Sequence, residues 1–148
     1  MRRGNQVILD GKINLKRVSR VSKSLTVGFQ VVTDPPVLGG AHPVVASDDL
    51  ALEVLAFGIV ALAHKEPLQA TVYGWLYSGK QVHVVADRVF FHVREELRGQ
   101  AVGLLCHLRR DCLPEIVPVN GWRVSLPDLL GDVLEAGLVC PPYRAGSA

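Results

Sequence analysis

Ala70-Thr71-Val72-Tyr73-Gly74-Trp75-Leu76-Tyr77-Ser78 has two faces when read with a period of two. Val72, Gly74 and Leu76 form a small apolar face suited to a core. Thr71, Tyr73, Trp75 and Tyr77 form the other, so three aromatics stand in a row on the outer side of a strand. A sheet seldom presents such a row to water alone. Nucleic-acid bases, a later part of the chain or a second subunit would each cover it.

Working outward, more strands bracket this one. Gln6 to Leu15 alternates cleanly, with Val7, Leu9, Gly11, Ile13 and Leu15 on one side and Ile8, Asp10, Lys12, Asn14 and Lys16 on the other. Gly11 marks a bulge or a sharp bend within it. Arg17 to Ser22 reads as a polar, basic hairpin connection. A second strand runs from Leu25 to Thr33 and is stopped by Asp34-Pro35-Pro36. Residues 34–49, with three prolines and two glycines, read as a long mobile loop. A third strand is expected over Leu50 to Phe57, then about two helical turns over Ile59 to Lys65. The aromatic strand is fourth, over 68–78. Gly79-Lys80 signals a tight turn, and Gln81 to Val93 is the fifth strand, its phase slipping near Asp87-Arg88. Five strands, most of them sequential and antiparallel-compatible, with a short helix between the third and fourth fit a small Greek-key barrel of the OB type.

Beyond Val93 the period changes. Leu97, Ala101, Leu104, Leu105 and Leu108 have helical spacing over Glu95 to Asp111, and Pro114 ends that run. An extended piece with a turn at Asn120-Gly121 follows. Ser125 is placed to cap a helix with Leu126, Leu129, Leu130, Val133 and Leu134 as its apolar stripe. The reading is mainly β: an OB barrel at 4–94 and a helical C-terminal extension at 95–148.

The 148 residues are 49% hydrophobic and 20% charged, enough apolar material for a sizeable core. No run approaches the roughly 20 apolar residues that span a bilayer. The N-terminus leads into an alternating strand rather than a signal-peptide core, which favours a cytoplasmic protein. Three cysteines, odd in number and confined to the last third, suit reduced thiols. Cys106, His107 and Cys112 lack the paired spacing of a zinc site, so Cys106 is expected to be a buried structural thiol. Catalytic loops are missing too: there is no Walker loop, Gly-x-Ser-x-Gly or His-Glu-x-x-His, which argues against an enzyme, and nothing implies a cofactor.

The net charge of +2 conceals an asymmetry. Residues 1–23 carry seven cations against Asp10, a charge of +6, leaving −4 on the remainder. Such a segment either meets a polyanion or protects an edge strand. Lys12, Lys16, Arg17 and Arg20 are the candidate phosphate contacts, with Arg88 and His83 as weaker ones.

Several short motifs, in order, resemble bacterial single-stranded DNA-binding proteins over roughly residues 5–93. Asn5-Gln6-Val7-Ile8-Leu9-Asp10-Gly11 is similar to their first strand. Leu52-Glu53-Val54-Leu55-Ala56-Phe57-Gly58 is similar to a third strand ending in Phe-Gly before a helix. Tyr73-Gly74-Trp75-Leu76 falls on their Gly-x-Leu strand, and the long loop falls where they have a mobile one. The chain departs from the family at Ala51 and Glu53 and lacks its acidic-tipped tail, and its economy is nearer that of the short primosomal relatives. The resemblance implies an OB-fold that binds single-stranded DNA without strong sequence preference, in replication, recombination or repair, as a homo-oligomer (dimer or tetramer). It also implies that Phe57 contacts bases, beside stacking on Tyr73, Trp75 and Tyr77. A replication or repair protein is a candidate partner for the C-terminal helices. The competing reading is an OB-fold interaction module that has lost DNA binding.

Overall fold

The computed structural model describes residues 6–21, 24–33, 40–111, 116–119 and 122–125. Its elements are β1 (Gln6–Val21), β2 (Ser24–Thr33), β3 (Ala41–Ser47), α1 (Asp48–Ala63), β4 (Gln69–Ser78), β5 (Val82–Phe91), α2 (Glu95–Asp111), β6 (Ile116–Val119) and β7 (Trp122–Ser125). The first five strands close into a barrel in the order β1-β2-β3-β5-β4, with β4 returning to β1. Only the β3–β5 pair is parallel, at Val44↔Val84 and Val45↔Val85. A closed five-stranded barrel of this order, with a helix between β3 and β4, is the OB-fold.

Closure depends on β1 serving two partners. Residues 6–12 pair with β4 and residues 11–21 pair with β2. At the corner, Gly11 lies opposite both Thr33 and Ala70. A Cβ there would stand 2.2 Å from the Val32 carbonyl oxygen, so only glycine lets the strands approach this closely. Gly11 thus marks the corner where β1 passes from one partner to the other, while the break in register comes later, between Leu15 and Arg17. Past that bulge β1 continues to Val21, so Arg17 to Val21, expected as a hairpin connection, belong to the strand.

The third strand and the helix after it differ from the sequence reading. Ala41–Ser47 forms β3, and the segment from Leu50 to Phe57 lies within α1. Part of the presumed loop is thus ordered sheet, while residues 34–39 lie outside the described residues. The Phe-Gly motif is helical, so its likeness to a family third strand does not correspond to a strand here. The physical reason is burial. Val54 through Leu62 are all buried, so α1 has no polar face from which a 3.6-residue period could be read. The helix begins with acidic Asp48 and Asp49 in its first turn, favourable against the helix dipole. Asp48 takes a left-handed φ of 53°, and its carboxylate accepts a bond from the Leu25 N–H at 3.3 Å, tying the helix start to β2.

One hydrophobic core runs through the molecule. Ile13, Leu15, Val27, Phe29, Val31, Val44 and Val72 fill the barrel, and α1 connects them to Leu97, Ala101, Leu104, Leu105 and Leu108 of α2. Polar contacts fix the two helices: Arg109 donates to Asp49 at 3.2 and 3.3 Å, and His64 Nε2 donates to Gln100 Oε1 at 2.9 Å. α2 matches its expected span. β6 and β7 then form an antiparallel hairpin, so the extension is not purely helical, and Ser125 closes β7. The helix expected from Leu126 lies outside the described residues. Cys106, expected to be buried, is exposed on α2. No described helix is long and apolar enough to cross a membrane.

Candidate nucleic-acid interface

An irregularity in β1 builds the first part of the site. In a regular strand Lys16 and Arg17 would point to opposite faces. The bulge between Leu15 and Arg17 breaks the alternation: Leu15 is fully buried, and Lys16 and Arg17 are both exposed. Both cations enter one open groove of about 650 Å³ on the outside of β2 and β3. Gly28, Gln30, Pro43 and Val45 line its floor, and Lys80, Gln81 and His83 of the β4–β5 hairpin line its far wall. The Arg17 side chain lies across Gly28, its guanidinium 3.7 Å from where a Cβ would be. Among the described lining residues there are three cations and a histidine, and no carboxylate.

The groove's mouth carries an aromatic. Tyr77 is 56% exposed, and its ring lies 5.2 Å from that of His83 across the base of the hairpin. The same ring packs against Gly79, where a Cβ would fall 2.7 Å from it. His83 Nδ1 is 3.1 Å from the Gln81 carbonyl oxygen. Since a carbonyl only accepts, Nδ1 carries the proton and the imidazole plane is fixed. The result is a pair of rings inclined at 48° to each other in the hairpin that carries Lys80.

The other aromatics occupy the outer face of β1, β4 and β5. Val72 and Gly74 point inward as read from the sequence, and Tyr73 and Trp75 point outward, each half-buried. Leu76 does not belong to the core face: it is 38% exposed, where β4 leaves the barrel to form its hairpin. Tyr73 stands between Ile8 and Arg88 in register. Its ring meets Phe90 edge-on at 5.7 Å, and the Arg88 guanidinium lies 5.3 Å from both rings. The expected phase slip in β5 is real. Tyr73 pairs with Arg88 but Gly74 with Ala86, so Asp87 is the extra residue of a bulge. Ile8, Val85 and Phe90 leave this face substantially apolar, at 61%, 39% and 49% exposed.

The remaining candidates are dispersed. Lys12 is exposed at the corner, in register with Val32 and Gln69, away from the groove. Arg20 lies in β1 opposite Leu25. Phe57 is displaced altogether: on α1 rather than a strand, it is 6% exposed and stacked on Phe91 at 4.1 Å with rings 6° from parallel. It offers no face to a base. Lys80, Gln30 and Pro43 were not singled out from sequence. Lys80 has one visible sequence signal, a cation at the tip of a tight turn, and the other two are recognisable only once β2 and β3 are aligned.

Fold and site together define an OB barrel with a cationic groove on the face formed by strands two and three, the face this fold uses for oligonucleotides and oligosaccharides. No family model matches the chain, and no curated protein matches it. Among solved structures it is similar to the dimeric N-terminal domain of PriB from Thermoanaerobacter tencongensis, at 16% identity and a TM-score of 0.44, covering 62% of this chain and 100% of that one. It is also similar to an SSB domain from Synechococcus sp., at 15% identity and a TM-score of 0.45, covering 60% of this chain and 97% of that one.

Proposed function

We propose that the barrel binds single-stranded DNA, without strong sequence preference, in the groove between β1 and the β4–β5 hairpin. One observation carries this: Lys16, Arg17 and Lys80 converge on an open groove with no carboxylate in its described lining. Phosphates are the ligands that three convergent cations favour, and the exposed Tyr77 ring, tilted 48° from His83, supplies an aromatic face for any base. Single strands are favoured over duplex because unstacked bases are needed to meet those rings. The reading is of a binding protein rather than an enzyme, acting in the cytoplasm in replication, recombination or repair, as a homo-oligomer.

The test is a titration of labelled oligo-dT, at several salt concentrations, beside a duplex control. Removing Lys16, Arg17 and Lys80 together should flatten the salt dependence by a slope of about 2, at about 0.7 per phosphate contact. Binding of duplex as tight as of single strand, or an unchanged slope in the triple variant, would sink the proposal.

A second reading rests on Ile8, Val85 and Phe90, whose exposure gives the β1-β4-β5 face an apolar patch suited to a protein partner. On that reading the barrel is an interaction module, and oligo-dT leaves it unbound at low salt.

A further inference from the structure

The groove and the aromatic face belong to one surface. Following the register around the barrel, Arg17 pairs with Gly28, Gly28 with Val45, Val45 with Val85, Val85 with Trp75, and Trp75 with Gln6. This row crosses all five strands, and its side chains point outward. Adjacent strands are about 4.8 Å apart, so Arg17 and Trp75, four steps away from each other, are roughly 19 Å apart along the surface. Gln30, Pro43, His83 and Tyr77 flank the row on its hairpin side.

Charge marks the edges of the band. Neither set of residues contains a carboxylate. The nearest acids on this part of the sheet, Asp87 and Asp10, lie to the other side of the row. Asp87 is in the β5 bulge beside Arg88. Asp10 is held by Thr71, whose Oγ1 donates to it at 3.0 Å, with His92 Nε2 2.7 Å from the same hydroxyl. Among the described residues, a polyanion leaving the groove over Val45 and Val85 has no acid in its row before Trp75.

We propose that a bound single strand does not end in the groove but continues across β5 onto β4, at right angles to the strands, with Trp75 as a base-stacking position. This rests on the single-strand reading of the groove and adds a second zone to it. Short and long oligonucleotides should therefore see different proteins. A short one is satisfied by Lys16, Arg17, Lys80 and His83, before the chain reaches β4. Only a longer one covers Val85 and reaches Trp75.

The test uses oligo-dT of about 4 and about 16 nucleotides, the limits of OB-fold site sizes. Trp122→Phe, checked for unchanged folding and affinity, leaves Trp75 as the sole tryptophan reporter. The long oligonucleotide should quench Trp75 and the short one should not. Trp75→Leu, which keeps apolar bulk, should weaken the long oligonucleotide by about 5- to 150-fold and the short one by less than about 2-fold. Trp75→Phe should retain most of the affinity. If the long oligonucleotide binds Trp75→Leu as it binds the wild type and leaves the emission unmoved, the extension is wrong while groove binding stands. If neither length binds, both fall. Trp75 shielded from quencher in a concentration-dependent assembly, and still shielded with the long oligonucleotide bound, would overturn the extension in favour of a subunit contact.

Discussion

Phe57 separates two readings of the chain, because it cannot both stack on a base and fill the core. Its ring is 6% exposed and stacked on Phe91 at 4.1 Å. Phe57→Ala removes a buried aromatic and leaves a cavity, a change that costs about 3–5 kcal/mol. A domain of ordinary stability has about 5–15 kcal/mol in total, so the alanine variant stays folded only narrowly. Phe57→Leu is the better probe. It keeps most of the volume and loses the ring pair, about 0.5–1.5 kcal/mol, plus a shape term below about 1.5 kcal/mol. A loss near 2 kcal/mol, with an m-value of about 2 kcal/mol/M in urea, moves the midpoint down by about 1 M at constant m. Oligonucleotide affinity, measured without denaturant, should stay within about 2-fold of wild type, since the ring faces Phe91 and not solvent. An unmoved midpoint with affinity reduced tenfold would refute the placement of Phe57 in the core.

Two further perturbations probe the frame that holds the site. Gly11→Ala puts a methyl 2.2 Å from the Val32 oxygen, so β1 must draw away from β2 at the barrel corner. With about two ladder hydrogen bonds lost or strained, destabilisation of about 2–4 kcal/mol is expected in urea unfolding; a change below about 0.5 kcal/mol would mean the corner is looser than described. Glu53 is held above the usual carboxylate range by burial, an effect that Arg109 at 3.9 Å only partly offsets and Asp49 adds to. A raised acid binds more protons folded than unfolded, so its contribution is most favourable below the unfolded pKa and is lost as pH rises through the folded one. Glu53→Gln should therefore gain on the wild type at neutral pH, with the difference closing toward about pH 4; a variant less stable at neutral pH would show that the Arg109 contact outweighs burial.

Strands with one wet face were legible in the sequence, and the helix without one was not. In β4, Val72 and Gly74 alternate with Tyr73 and Trp75 because the barrel interior lies on one side and solvent on the other. In α2, the stripe from Leu97 to Leu108 shows a helical period for the same reason. α1 touches the barrel on one side and α2 on another, so Ala51, Val54, Leu55, Ala56 and Phe57 are all buried and the pattern is a plain apolar run. Such a run fits a buried strand as well as a buried helix. The overlooked cue was Ser47-Asp48-Asp49, a cap position followed by acids. Taking this run as a strand displaced β3 into the presumed loop and carried Phe57 to a surface it never reaches.

The two bulges show the same limit inside the site. The one at Asp87 could be anticipated, because the apolar phase on either side of it differs by one residue. The one at Lys16 leaves a fainter trace: the inward positions Leu9, Gly11, Ile13 and Leu15 are followed by Val18, one residue out of phase, among polar and basic neighbours. Yet it decides where the positive charge goes. Without it, one of Lys16 and Arg17 would be turned toward Leu15 and the core, where an unpaired cation is not tolerated. With it, both are brought beside Lys80. Sequence reasoning could identify cations suited to phosphate, but their convergence depends on a backbone irregularity. Deleting Lys16 should therefore do more than subtract one charge. It should restore regular alternation, turn Arg17 toward the position of Lys16, and weaken oligo-dT binding less than Lys16→Ala combined with Arg17→Ala but more than Lys16→Ala alone. Equal affinity for the deletion and Lys16→Ala would show that the bulge plays no part in forming the groove.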